Sequence, residues 1–182
     1  EKGYKTHGID LSDTMLAQAQ ASFGHKVSFS KGDIRDFKLE DAFDIITSLF
    51  HVMSYQTQNA DLYASFNSVY QHLKPGGYFI FDCWYGPGVL NDHPAVKIKR
   101  MDSAELEVLR IAEPVFHQND CVVDVNFDIN IHTRPDGQLI KLNEKHPMRY
   151  LFKNEILMLC DRYDFKFVDY FAWLTLEKPD EN

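Results

Sequence analysis

The chain has 182 residues, 45% of them hydrophobic and 25% charged, with a formal net charge of −8. That suffices for one domain with a well-buried core, is too little for two ordinary ones, and excludes a disordered chain. The acidic balance disfavours a nucleic-acid partner, since no basic face is visible to meet phosphates. No apolar run approaches the roughly 18 residues of a membrane span.

The three cysteines, Cys83, Cys121 and Cys160, form no CxxC pair and fit a reducing, cytoplasmic setting as small buried residues. No charged-then-apolar signal segment opens the chain. Glu1 is not an initiator Met and a strand starts almost at once, so residues upstream are expected.

In chain order, Thr6–Asp10 is predicted as a strand ending on a carboxylate. Ser12 then caps a helix over Asp13–Ser22, with Met15, Leu16, Ala19 and Phe23 facing inward. Lys26–Ser30 reads as a second strand leading into Gly32-Asp33-Ile34. Phe43–Leu49 is a near-continuous apolar run, expected for a strand covered on both faces. From about Asn59 to Leu73, Leu62, Phe66, Val69 and Leu73 recur at helical spacing. Lys74-Pro75-Gly76-Gly77 then turns into a buried strand, Tyr78–Trp84. Strands alternating with helices predict an α/β protein with a doubly wound, Rossmann-like parallel sheet.

After Trp84 the pattern changes. Tyr85–Pro94, rich in Gly and Pro, reads as a loop, and from about Ile98 to Tyr150 the period is two. Val123, Val125, Phe127, Ile129 and Ile131 alternate with Asp124, Asn126, Asp128, Asn130 and His132 on the strand Cys121–Thr133, and Arg134-Pro135-Asp136-Gly137 makes a turn. Helical spacing returns over Lys153–Tyr163, followed by a strand, Phe165–Leu176. The expectation is a single domain: an α/β core from residues 1–95 and 151–182, carrying a small inserted antiparallel β-sheet over 96–150.

A carboxylate at a strand's C-terminal end, facing the crevice of an α/β sheet, is where such folds hold a ribose diol. The ordered series Gly8-Ile9-Asp10-Leu11-Ser12, Gly32-Asp33-Ile34, Phe43-Asp44-Ile45-Ile46 and Leu73-Lys74-Pro75-Gly76-Gly77 resembles the class I S-adenosylmethionine-dependent methyltransferases from Tyr4 to Trp84. In that family a glycine-rich loop precedes the ribose-binding acid by about 20 residues, and Asp10 lies too near the start of this chain for that loop to fit. The resemblance implies S-adenosylmethionine as cofactor. Asp10 would hold the ribose hydroxyls, Leu11 would lie on the adenine, Asp33 and the Ile34 N–H would read its edge, and Leu49 and Phe50 would border the methionine end.

Phe81-Asp82-Cys83-Trp84-Tyr85, the inserted sheet and His146-Pro147-Met148-Arg149-Tyr150 look like the small-molecule branch that N-methylates nucleotide-linked amino sugars. Asn126 aligns with a position where relatives place a histidine near the acceptor amine, and Asn cannot take a proton at neutral pH. His51, His132 and His146 are the candidate bases, His51 leading because it follows the third strand. Tyr55, Trp84, Tyr85 and Arg149 are candidates for the acceptor pocket, with core packing as the competing role of each. No spacing resembles a metal site.

The residues leave two alternatives open. An acid ending a strand also serves NAD in oxidoreductases. The apolar stripe Val123–Ile131 would also suit a homodimer interface in an inactive, methyltransferase-like module.

Overall fold

The computed structural model describes residues 3–179. These cluster into two compact units: residues up to Thr47 with Gln58–Ile80, and Ser48–Thr57 with the residues from Phe81 onward.

In the first unit, β1 (His7–Asp10) pairs in parallel with β2 (Ser28–Lys31), and α1 (Asp13–Phe23) connects them. Ser12 caps α1 as expected, its hydroxyl accepting from the Met15 N–H at 3.3 Å. The inward face expected of α1 is not formed. Leu16 and Ala19 are half-buried, but Met15 and Phe23 remain 54% and 58% exposed. A two-strand ribbon offers too little apolar surface to cover a helix stripe.

β3 (Phe43–Ser48) pairs with β4 (Leu73–Phe81), joined through α2 (Asn59–His72). Here the 3.6-residue pattern holds: Leu62, Phe66 and Val69 are buried, and Phe66 meets Phe79 edge-on with centroids 5.6 Å apart. β3 is not covered on both faces, for Ile45 is half exposed and only Ser48 is buried, and Tyr78 and Ile80 of β4 are exposed as well. The expected α/β class stands: β1 and β2 pair in parallel, and β3 with β4 forms a second two-stranded piece.

The second unit is dominated by a five-stranded sheet in the order β5-β9-β8-β7-β6. Its strands are β5 (Trp84–Tyr85), β6 (Lys97–Asp102), β7 (Leu106–His117), β8 (Val122–Thr133) and β9 (Leu139–Leu151). The pairings β6–β7, β7–β8 and β8–β9 are antiparallel, and β5 joins β9 in parallel. Alternation predicted this antiparallel sheet, and with five strands it is the largest in the described residues. Cys121 falls outside β8, in the left-handed region at φ 54°.

The predicted loop at Tyr85–Pro94 contains a short helix, α3 (Gly86–Asn91), with Pro87 in its first turn, where a missing N–H costs nothing. Val89, Val123 and Tyr150 form a core joined by Trp84, Phe116 and Phe152. α4 (Lys153–Arg162) matches the predicted helix, and Glu155 accepts from the Phe152 N–H at its start. The predicted strand Phe165–Leu176 does not form. It has no pairing partner in the described residues, and Asp164 and Leu174 take positive φ, which breaks extended backbone.

Candidate functional site

Asp10 and Asp33 come together at the C-terminal ends of neighbouring parallel strands. Asp10 is in register with Lys31, the last residue of β2, and its carbonyl accepts from the Gly32 N–H at 3.1 Å. Asp33 is the next residue. Asp10 Oδ1 accepts from the Ser12 N–H at 2.8 Å, which orients the carboxylate and leaves Oδ2 for an outside donor. Leu11, beside it, is exposed, and Ile34 is half-buried.

Asp33 is more heavily engaged. Oδ1 accepts from the Arg35 backbone N–H and from Nε, and Oδ2 accepts from Nε and Nη2. A carboxylate has about four acceptor positions, so Arg35 fills Asp33, and an adenine amino group would have to displace one of these bonds. The Arg35 hydrogen bonds hold the Asp33 carboxyl below its usual range against the opposing effect of burial.

In the second unit, β3 gives way after Ser48 to Leu49, Phe50 and His51. Phe50 and His51 are consecutive non-glycine residues at φ 62° and 66°. Each such conformation costs about 1–3 kcal/mol and persists only where surrounding contacts impose it. The His51 N–H donates to Asp82 Oδ1 at 3.0 Å, and the Asp82 N–H donates to the Ser48 carbonyl at 3.2 Å. His51 Nδ1 stands 3.1 Å from Asp82 Oδ2 but off the line of a hydrogen bond, so both atoms, and the Ser48 hydroxyl, are buried and unsatisfied. Trp173 lies against His51 and Phe50, at centroid distances of 5.2 and 6.1 Å.

A third group is built on β9. Tyr55, in a 3₁₀ turn over Val52–Tyr55, places its hydroxyl 2.8 Å from His146 Nδ1, and His146 Nε2 is 3.0 Å from Glu144. A carboxylate can only accept, so Nε2 carries the proton and Nδ1 accepts from the tyrosine. Burial, and then the Glu144 charge, push the Tyr55 hydroxyl above its ordinary value. Asn126 donates to the Glu113 carbonyl at 3.3 Å and lines an open concavity of about 340 Å³. Glu113, Asp128, Glu144 and Lys145 share that lining, three carboxylates against one ammonium.

The other candidates are structural in their contacts. Arg149 is buried and paired with Glu155 at 2.8 Å, its Nη1 donating to the Thr57 carbonyl. Trp84 belongs to the sheet core, its backbone N–H donating to Ser54 Oγ, and Tyr85 is half-buried beside it on β5. His132 sits on the exposed face of β8, 3.9 Å from Glu107. The sequence reasoning passed over Asp82 as a site residue, although it closes the apolar run Phe79-Ile80-Phe81 as Asp10 closes its own strand.

The fold is similar to that of solved S-adenosylmethionine-dependent methyltransferases. A methyltransferase from Clostridium acetobutylicum superposes over 98% of this chain and 71% of its own, with a TM-score of 0.82 at 24% identity. An S-adenosylmethionine-bound amino pentose methyltransferase from Micromonospora echinaspora superposes over 87% and 65%, with a TM-score of 0.71 at 19% identity.

In sequence, residues 1–77 match the family model described as a methyltransferase domain. The chain is 29% identical over 125 residues to the dTDP-3-amino-3,4,6-trideoxy-alpha-D-glucopyranose N,N-dimethyltransferase of Streptomyces venezuelae, covering 68% of this chain and 52% of that protein. It is 32% identical over 112 residues to the dTDP-4-amino-2,3,4,6-tetradeoxy-D-glucose N,N-dimethyltransferase of Saccharopolyspora spinosa, covering 57% and 45%. The chain thus spans about half the length of these curated relatives. The resemblance to class I methyltransferases of the nucleotide-sugar branch is borne out, and none of these likenesses supports the nicotinamide alternative. No helix among the described residues is long and apolar enough to cross a membrane.

Proposed function

We propose that this chain carries the S-adenosylmethionine-dependent transfer of a methyl group to the amino nitrogen of a small acceptor, a nucleotide-linked amino sugar. The observation that carries the reading is the placement of Asp10 and Asp33 at the ends of adjacent parallel strands, in a chain whose relatives are named sugar N,N-dimethyltransferases.

Asp10 fits a ribose: one oxygen is fixed by Ser12, and the other is placed to accept from a hydroxyl. Leu11 supplies an apolar surface for the adenine. Asp33 and the Ile34 N–H read the adenine edge, Asp33 exchanging one Arg35 donor to do so. Leu49 and Phe50 border the methionine portion. When bound, S-adenosylmethionine supplies a methyl group already activated by its sulfonium.

The protein's task is alignment and exclusion of water, a positioning effect that reaches effective molarities of about 10⁵–10⁸ M. A neutral amine needs no base to attack, but it must afterwards lose a proton, and His51 is assigned to accept it. Asn126 hydrogen-bonds the acceptor. Tyr55 orients it through the His146–Glu144 chain. The carboxylate-rich concavity beside Asn126 favours an amine over an anionic acceptor. Trp84, Tyr85 and Arg149 support that pocket, Arg149 through Glu155. The setting is a reducing cytoplasm, with a small soluble acceptor as partner.

Calorimetry with S-adenosylhomocysteine, followed by mass spectrometry of a dTDP-amino sugar incubated with S-adenosylmethionine, tests this. Saturable heat and a gain of 14 Da or 28 Da, the mass of one or two methylene units, are expected. Absence of binding sinks the reading.

A further inference from the structure

We propose that Asp82 is a positioning residue that sets the tautomer and orientation of His51. The two side chains stand 31 positions apart in sequence, each just beyond the end of a strand: β3 ends at Ser48 and β4 at Phe81. One Asp82 oxygen, Oδ1, takes the His51 backbone N–H at 3.0 Å and so holds the left-handed turn that presents the ring. The other, Oδ2, faces Nδ1 at 3.1 Å. Both Nδ1 and Oδ2 are buried without a formed hydrogen bond, and a small rotation of the ring would make one. A pair built this way is unsatisfied at rest and gains most when the imidazole is charged.

The groups facing the ring are the Asp82 carboxylate, which follows β4, and the Trp173 indole of the C-terminal segment. A carboxylate that can only accept keeps the proton on Nδ1, leaving the Nε2 lone pair for an incoming proton. This rests on the methyl-transfer reading above. There, the acceptor nitrogen forms a bond to the methyl carbon as the sulfur–carbon bond breaks, and the sulfur keeps the bonding pair and becomes neutral. The nitrogen, now positive, gives its proton to His51 Nε2, and the resulting imidazolium is balanced by Asp82.

The test is an NMR measurement of the His51 tautomer in the full chain, with His51 signals assigned by their loss in His51→Gln. In the wild type the neutral ring is expected as the Nδ1–H tautomer. In Asp82→Asn, whose amide can donate to Nδ1, the Nε2–H form is expected to gain population, and Asp82→Glu, which can still only accept, is expected to keep Nδ1–H. An Nε2–H tautomer in the wild type, or an unchanged tautomer in Asp82→Asn, overturns the proposal. The tautomer measurement needs no variant, so it decides the matter even if Asp82→Asn does not fold. S-adenosylhomocysteine calorimetry on the same samples separates the two ideas: a wild type that binds no ligand fails the methyl-transfer reading, while the tautomer still judges the pair.

Discussion

Arg35 folds back onto Asp33, two residues before it, with Nη2 2.6 Å from Oδ2 and Nε 3.0 Å from both carboxylate oxygens, while Nη1 reaches Asp61 at 3.0 Å. One guanidinium therefore ties the turn after β2 to the first turn of α2. Its fork geometry lets it do so in a way that a lysine ammonium could not.

That pairing has a signature in pH. The folded-state carboxyl of Asp33 is held below its ordinary value, chiefly by the Arg35 hydrogen bond. The unfolded chain therefore binds the proton first as pH falls. The stabilisation is complete above the unfolded value of about 3.9 and is lost as pH drops through the depressed folded value. Asp33→Asn is expected to melt below the wild type at neutral pH, with the gap closing as pH falls below about 4. Melting curves followed by circular dichroism check this, and a gap that stays constant across the acid range contradicts it.

Asp10→Ala removes the proposed ribose acceptor. A net contribution of about 1.5–3 kcal/mol for a hydrogen bond to a charged group corresponds to a loss of affinity of roughly tenfold or more. Calorimetry with S-adenosylhomocysteine should register it. Ser12→Ala, which removes the helix cap, should cost about 1 kcal/mol of stability and leave Asp10 Oδ2 in place to bind.

Tyr55→Phe deletes the hydroxyl that donates to His146 while keeping the ring. If this side chain orients the acceptor, KM for the amino sugar should rise about two- to tenfold, the worth of one ordinary hydrogen bond. Affinity for S-adenosylhomocysteine should not change. Steady-state kinetics beside calorimetry checks it, and an equal loss in both assigns Tyr55 to general stability.

Gly86 begins α3 with no room for a side chain: a Cβ would lie 2.7 Å from ring atoms of Phe152. That ring packs against Tyr150, which is 1% exposed, and cannot withdraw freely. Gly86→Ala should destabilise the chain by about 1–3 kcal/mol, the usual cost of overpacking. Chemical denaturation measures it, and an unchanged midpoint would mean that the helix start can shift.

The elements that were legible in advance are those whose side chains meet their environment locally. The Leu62, Phe66 and Val69 stripe made α2 plain, and the alternation through Val123–Ile131 made β8 plain. The candidate site was half legible: Asp10 stood out as an acid ending an apolar strand, whereas Asp82, just past the end of another, did not. Its role depends on His51, and nothing within a few residues of either names the other. Two of the failed expectations, the buried face of α1 and the strand Phe165–Leu176, share one cause. Both read apolar content as burial, and burial needs a partner surface that no local pattern supplies.

The order of residues alone determined α2, α4 and the alternation of β8, and that two aspartates close neighbouring strands, because these follow from spacing and from side-chain chemistry. Only the tertiary structure decided that Arg35 occupies Asp33, that Glu155 claims Arg149, and that Asp82 stands against His51. Such partners lie up to 31 positions apart among the pairs named here. They are chosen by which strand ends and turns burial brings side by side, a long-range outcome that short-range periodicity does not encode.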